Sequence, residues 1–206
     1  MIKLLIFDFD GTIVDTKNLY YSSIHRWLKG EKIVFSEKEF VETFGMKLSD
    51  ILKLMKVKNN IQEIRDGVHN DVFSSVNKIK VSKDARYVPG LKIKKILLSN
   101  TISKHIKMVV KAKKINYFRE VYGGDNFPNK VYFIKKYMKR NKLKKNEVIY
   151  IGDMVKDIEV AREAGCIGVS ISHEISWNTR KELLEGKPEY IIDNLKDLAE
   201  IVKNIQ

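Results

Sequence analysis

Short apolar runs that end in polar or glycine turns, separated by stretches of helical periodicity, restrict this chain more than any other feature. The runs cover residues 2–7, 96–98, 121–122, 148–151, 167–171 and 190–192. Unbroken apolar runs of this length suit strands buried on both faces of a parallel sheet. Between them Ile102, Ile106, Val109 and Val110 recur at helical spacing, as do Val131, Ile134 and Met138, and Val155, Ile158, Ala161 and Ala164. Gly165 is placed as a stop for the third of these helices. Asp193-Asn194 is placed as the cap of a last helix through Leu195, Leu198, Ala199, Val202 and Ile205. Alternation of this kind predicts a doubly wound, mainly parallel α/β sheet with right-handed crossovers.

One segment breaks the alternation. From about residue 17 to 84 there is no strand pattern, only amphipathic helical stretches at 17–29, 36–43, 48–56 and 61–76. Pro89-Gly90 marks the return to the sheet. The reading is a small helical domain, 17–84, inserted into a discontinuous core made of 1–16 and 85–206. At 206 residues the chain is long enough for one core plus such an insertion. With 44% hydrophobic and 32% charged residues it is neither a disordered nor a fibrous sequence.

The first residues, one Lys followed by an apolar run and then acids, read as a strand and not as a signal peptide. No apolar run approaches the roughly 18 residues of a membrane span, so no membrane partner is expected. The single Cys166 excludes an intrachain disulfide and a multi-cysteine zinc site, and a reducing, cytoplasmic setting is the natural expectation. A formal charge of +13 attracts anions, which include phosphorylated metabolites and nucleic acid. Much of it falls on presumed helices (Lys104, Lys107, Lys111, then Lys135, Lys136, Lys139), so a solvated surface is favoured; a nucleic-acid partner is possible but not favoured.

Chemistry concentrates at the strand ends. Phe7-Asp8-Phe9-Asp10-Gly11-Thr12 follows the first apolar run, and the C-terminal ends of strands form the ligand crevice of such a sheet. Two carboxylates two residues apart share one face of an extended chain, and a hard divalent cation would relieve their repulsion. An acidic turn with Thr12 as a cap is the plainer alternative. Leu97-Leu98-Ser99-Asn100-Thr101 places a hydroxyl and N–H groups at a helix start, suited to a phosphate oxygen and equally to ordinary capping. Tyr150-Ile151-Gly152-Asp153 puts a carboxylate at another strand end, with Asp157 four residues on and facing the same way. Lys130 opens a helix, where a cation opposes the dipole; in so lysine-rich a chain it can as easily be a surface residue.

Taken in order, these four elements resemble the haloacid dehalogenase-like hydrolase superfamily: D-x-D-G-T, the strand-end Ser-Asn-Thr, the Lys, and G-D-x-x-x-D. The helical insertion falls where that family carries its helical cap, and Asp15-Thr16 resembles the D-S/T of phosphoglycolate-phosphatase-like members. The resemblance spans essentially the whole chain. It implies a Mg²⁺-dependent phosphatase acting on a small phosphorylated substrate: phosphoglycolate-like, a sugar phosphate or a nucleotide. Asp8 would be the nucleophile that becomes an aspartyl phosphate, and Asp10 the acid and then the base. Asp8, the Asp10 carbonyl, Asp153 and Asp157 would surround Mg²⁺. Ser99 and the Asn100 N–H would hold a phosphoryl oxygen, and Lys130 would neutralise charge. Asp15 and Thr16 would lie near the hinge of the cap, and Lys47, in the cap loop Phe44–Asp50, is a possible substrate contact. The second Asp of the first motif separates phosphoryl transfer from halide displacement. A phosphosugar mutase, or an enzyme trimming nucleic-acid ends, would use the same residues.

Two departures stand out. Family members usually place a full helix between the Pro-Gly and the next strand, whereas Pro89-Gly90-Leu91 runs almost directly into the strand. The lysine motif reads Asn129-Lys130-Val131, without the usual proline, which leaves Lys135 and Lys136 as alternatives.

Overall fold

The structure is a computed structural model that describes residues 1–205 apart from 30, 32 and 75. Parts of the expected spans 17–84, 61–76 and 85–206 therefore lie outside the described residues. β1 (Leu4–Phe7), β4 (Lys94–Leu98), β5 (Glu120–Tyr122), β6 (Val148–Gly152), β7 (Ile167–Ile171) and β8 (Tyr190–Ile192) form one sheet in the order β5-β4-β1-β6-β7-β8, parallel throughout. The core helices are α5 (Ser103–Ala112), α6 (Lys130–Arg140), α7 (Val155–Ala164), α8 (Arg180–Glu185) and α9 (Leu198–Asn204). This is the doubly wound α/β architecture that the apolar runs predict. Successive strand residues feed opposite faces. Leu5, Phe7, Leu97 and Ile149 join one buried cluster, while Leu4, Ile6, Ile96 and Tyr150 join the other, beneath α6 and α7.

Local signals set the element ends. Asn129 caps α6 by accepting the Tyr132 N–H at 2.8 Å. Gly165 closes α7 in the left-handed region. The register then decides what the ends present. Phe7 lies opposite Leu97 on one side and Ile151 on the other. One step further along the three chains come Asp8, Leu98 and Gly152, followed by Ser99 and Asp153. Three separate motifs thus reach one edge because β1 sits between β4 and β6, where the crossovers change direction.

The insertion comprises α1 (Lys17–Lys29), α2 (Glu37–Thr43), α3 (Leu48–Leu54) and α4 (Ile61–Ser74). Tyr20, Ile24 and Leu28 of α1 are buried, as are Ile64, Val68, Val72 and Phe73 of α4. Asp71 of α4 accepts from Ser23, Arg26 and Trp27 of α1 at 3.0–3.1 Å. The structure differs from the sequence reading at the base of this block. Lys80–Val81 forms β3, antiparallel to β2 (Val14–Asp15), so residues 17–84 do contain a strand. Two residues are too few to carry a period, which is why no strand is legible there. As the sequence reading anticipates, no helix lies between Pro89-Gly90 and β4 among the described residues; a 3-10 stretch, Lys83–Gly90, with Pro89 inside it, leads up to that short connection.

Gly67 shows how closely α1 and α4 approach. A Cβ there would lie 2.0 Å from Trp27 Cζ2, on a ring that its 3.1 Å bond to Asp71 holds in place. Gly67→Ala adds about 0.8–1.0 kcal/mol of helix propensity, against an overpacking penalty of about 1–3 kcal/mol. We expect net destabilisation of up to about 2 kcal/mol in urea unfolding; a stabilised variant would show that the helices separate freely.

Candidate active site

The loop after β1 is bent back on itself. Gly11 N–H donates to Val14 O at 2.8 Å, and the N–H groups of Ile13 and Val14 both reach Phe9 O. Gly11 adopts φ +76°, and a Cβ there would lie 2.2 Å from Asp153 Oδ2 and 2.3 Å from Trp177 Cδ1. Only glycine fits both the left-handed turn and that approach. The turn separates the two motif carboxylates into different surroundings.

Asp8 is buried, accepts the Phe9 N–H at 2.7 Å through Oδ1, and meets Lys130 Nζ at 2.8 Å through Oδ2. Lys130 also donates to Tyr150 Oη at 2.8 Å and Asp157 Oδ1 at 3.1 Å, so its three N–H bonds are all engaged. Tyr150 passes its own hydroxyl hydrogen to Asp157 Oδ1 at 2.7 Å. Asp157 Oδ2 accepts the Met154 N–H at the start of α7. Asp153 is fully buried and held by the Thr12 hydroxyl at 2.8 Å and the Trp177 N–H at 2.7 Å. Asp10 faces elsewhere: Thr16 donates to one oxygen at 2.7 Å, while Ser99 and Thr101 donate to the other at 3.0 and 2.8 Å.

Burial governs the electrostatics. It pushes the Asp8 carboxyl well above the ordinary aspartate value; Lys130 pulls the other way, and Asp157 and Asp153 add to the rise. Burial also raises Asp10, against the three hydroxyl donors that favour its charge. Asp153 is pushed up to about 7 by burial and then by Asp157. Burial opposes the charge on Lys130, but Asp157 and Asp8 more than compensate and hold it above the usual lysine range.

The structure thus brings together Asp8, Asp153, Asp157 and Lys130, and of these Asp8 and Lys130 line a cavity together with Asp10, Ser99 and Asn100. Lys135 and Lys136 are exposed, which removes them as alternatives to the buried Lys130. Lys47 is not in the cavity: its Nζ donates to Phe127 O at 2.5 Å and lies 5.6 Å from that ring. Asn100 uses its side chain to hold Gly45 O at 2.7 Å, tying the α2–α3 connection to the core. Tyr150, Thr101 and Trp177 are contacts that the sequence reading missed. Tyr150 had one available signal, a hydroxyl in an otherwise apolar strand on the face that α6 covers.

One carboxylate oxygen from each of Asp8, Asp153 and Asp157 lies within 4.8 Å of the others, all three residues buried. An all-oxygen, anionic donor set fits a hard divalent cation such as Mg²⁺. Lys130 offsets only part of the charge gathered there, which strengthens the fit.

A second buried pair braces the loop. His173 Nε2 faces Gly11 O at 2.9 Å and its Nδ1 faces Asp84 Oδ2 at 3.0 Å. Both partner atoms accept, so both ring nitrogens donate and the ring is an imidazolium. Burial alone would lower its pKa, but Asp84 and the Gly11 carbonyl raise it. Asp84 also accepts from Ser82 Oγ and from the Leu195 N–H, and through His173 the segment after β3 is joined to the loop after β1.

Fold and site together define a doubly wound α/β enzyme with an acidic centre at its strand ends. Residues 5–170 match the Haloacid dehalogenase-like hydrolase family. The chain is 23% identical to the phosphoglycolate phosphatase of Vibrio parahaemolyticus, over 98% of its own length and 96% of the relative's. It superposes on a crystal structure described as a predicted phosphoglycolate phosphatase from Haemophilus somnus with a TM-score of 0.81, at 21% identity and 98% coverage of each chain. A hydrolase from Pseudomonas syringae gives a TM-score of 0.82 at 19% identity, covering 98% of this chain and 99% of the other. The chain belongs to the haloacid dehalogenase-like hydrolase family, and within it resembles the phosphoglycolate-phosphatase-like branch. Among the described residues no helix is long and apolar enough to cross a membrane.

The raised carboxyls have a thermodynamic consequence. A folded-state pKa above the unfolded one means that the folded chain binds more protons, so stability falls as pH rises between the two values. For Asp153 the window runs from 3.8 to about 7. In metal-free buffer the melting temperature should fall across that window by several degrees, at about 2–4 °C per kcal/mol for a chain of this size. Added Mg²⁺ should raise it more at pH 8 than at pH 5. Equal shifts at both pH values would mean that these carboxylates do not hold the ion.

Proposed function

We propose that this chain is a Mg²⁺-dependent phosphatase that hydrolyses a small phosphomonoester through an aspartyl phosphate on Asp8. The observation that supports it most is the different treatment of two carboxylates on one turn. Asp8 faces a fixed cation, Lys130 at 2.8 Å, whereas Asp10 is held by the hydroxyls of Thr16, Ser99 and Thr101. The first arrangement suits a nucleophile and the second a proton donor.

In this reading an Asp8 oxygen attacks phosphorus, the bond from phosphorus to the ester oxygen breaks, and Asp10 gives its proton to the departing alcohol. Asp10 then takes a proton from water as that water attacks phosphorus, and the bond from phosphorus to Asp8 breaks to release phosphate. Lys130 holds the Asp8 carboxylate in place and offsets charge on the transferring group. Ser99 and the Asn100 N–H receive a phosphoryl oxygen. Mg²⁺, held by Asp8, the Asp10 carbonyl, Asp153 and Asp157, would supply the positive charge that lets a carboxylate approach an anionic phosphoryl group. Residues 17–84 act as the cap over a core of 1–16 and 85–206, with the β2–β3 ribbon as its hinge and Phe44, Met46 and Leu48 roofing the cavity. A phosphoglycolate-like acid, a sugar phosphate and a nucleotide are the candidate substrates, and the cytoplasm is the proposed setting.

Phosphate release from a panel of phosphomonoesters tests the reading. Turnover should require Mg²⁺, vanish with chelator and return when the ion is restored. Asp10→Asn should lower kcat by about 10²–10⁴-fold, and Asp8→Asn should abolish turnover. Full activity in Asp8→Asn would remove the nucleophile assignment.

A further inference from the structure

The cavity above Asp8 and Asp10 has about 400 Å³ of empty space, counting its open mouth. Its wall is Tyr20 of α1, Phe44, Met46 and Leu48 around the α2–α3 connection, His69 of α4, and Trp177 of the core. Trp177 packs on Phe44 with ring centroids 4.1 Å apart, which closes core against insertion with two aromatic faces. Among the described residues Lys130 is the only Lys or Arg lining this space. Its three donors are already spent on Asp8, Tyr150 and Asp157.

Across His69 a separate cavity is lined by Lys47, Arg65 and Lys104, none of which lines the space above Asp8. Lys47 is held by Phe127 O, and Arg65 by Asp66 Oδ1 at 2.6 and 2.9 Å. His69 does not supply a charge either: burial, then His105 and Arg65, lower its pKa to about 4. Trp177 Nε1 and His69 Nδ1 are buried without a hydrogen-bond partner.

We infer that the part of the substrate next to the scissile ester is an uncharged group, apolar or neutral and hydrogen-bonding, and that phosphoglycolate is a poor substrate. The inference rests on the proposed phosphatase reading. A carboxylate on the released alcohol would enter a space whose fixed cation is engaged and whose floor already carries carboxylates. Beyond the phosphoryl position, no uncommitted Lys or Arg lines the described wall to receive a second anion. Burying an unpaired carboxylate is among the most unfavourable steps available to a protein site. A hydroxyl, carbonyl or amide in the same place meets no such penalty.

The test compares phosphoglycolate with its amide, which has the same skeleton and no second charge. The full chain should show at least tenfold higher kcat/KM for the amide. Met46→Lys or, at a more buried position, Leu48→Lys should shift that ratio toward the acid at least fivefold, because each puts a cation in the wall. Equal or greater kcat/KM for phosphoglycolate in the unaltered protein would overturn the inference. Binding of both compounds to Asp8→Asn, read by thermal shift, reports the charge preference without turnover: tighter amide binding supports it and tighter acid binding overturns it. Lack of turnover of every phosphomonoester by the unaltered protein would sink the phosphatase reading alone.

Discussion

Three carboxylates and one ammonium group are buried together at the ends of β1 and β6, and much of the surrounding structure follows from keeping them there. An unpaired buried charge is strongly unfavourable, so each group needs either an opposite charge or directed hydrogen bonds. Lys130 supplies the charge, and its place on α6 follows from the Asn129 cap that starts the helix under the sheet. Tyr150 joins Lys130 to Asp157, and the N–H groups of Phe9, Met154 and Trp177 each serve one carboxylate. Such a network tolerates little displacement, because losing one member leaves another unsatisfied in a low-dielectric space.

The register of the sheet delivers these groups to one place. Side chains in a strand alternate between faces, so a one-residue slip of β1 against β4 or β6 would turn Phe7 and Asp8 into the wrong layers. The apolar residues on both faces of β1 set that register, and the charged residues just beyond it inherit the result. Packing in the core therefore acts directly on the chemistry at the edge.

Much of this was legible in the sequence, for identifiable reasons. Unbroken apolar runs mark the strands, and Asp8, Ser99 and Asp153 are visible as polar residues immediately after them. Lys130 was legible only in part, since its sequence position does not distinguish it from Lys135 or Lys136; burial does. Lys47 looked available for a substrate because a sequence cannot show that Phe127 O, eighty positions away, takes its ammonium group. The His173–Asp84 pair was invisible for the same reason, as its partners come from three distant segments. β2 and β3 are too short to leave a pattern, and Tyr150 is disguised as one more large residue in a buried strand.

The β2–β3 ribbon carries a consequence of its own. Because Val14 pairs with Val81 and Asp15 with Lys80, the chain leaves the core and re-enters it at nearly the same point. To the core, the helices between them are a loop whose two ends are already joined, so their number and length place little entropic demand on the sheet. Such a segment is exchangeable: a different block spliced onto the same two strands would inherit the same buried acidic centre. The part of the cavity wall that this segment supplies, with Tyr20, Phe44, Met46, Leu48 and His69, is then free to change while the acidic centre stays fixed.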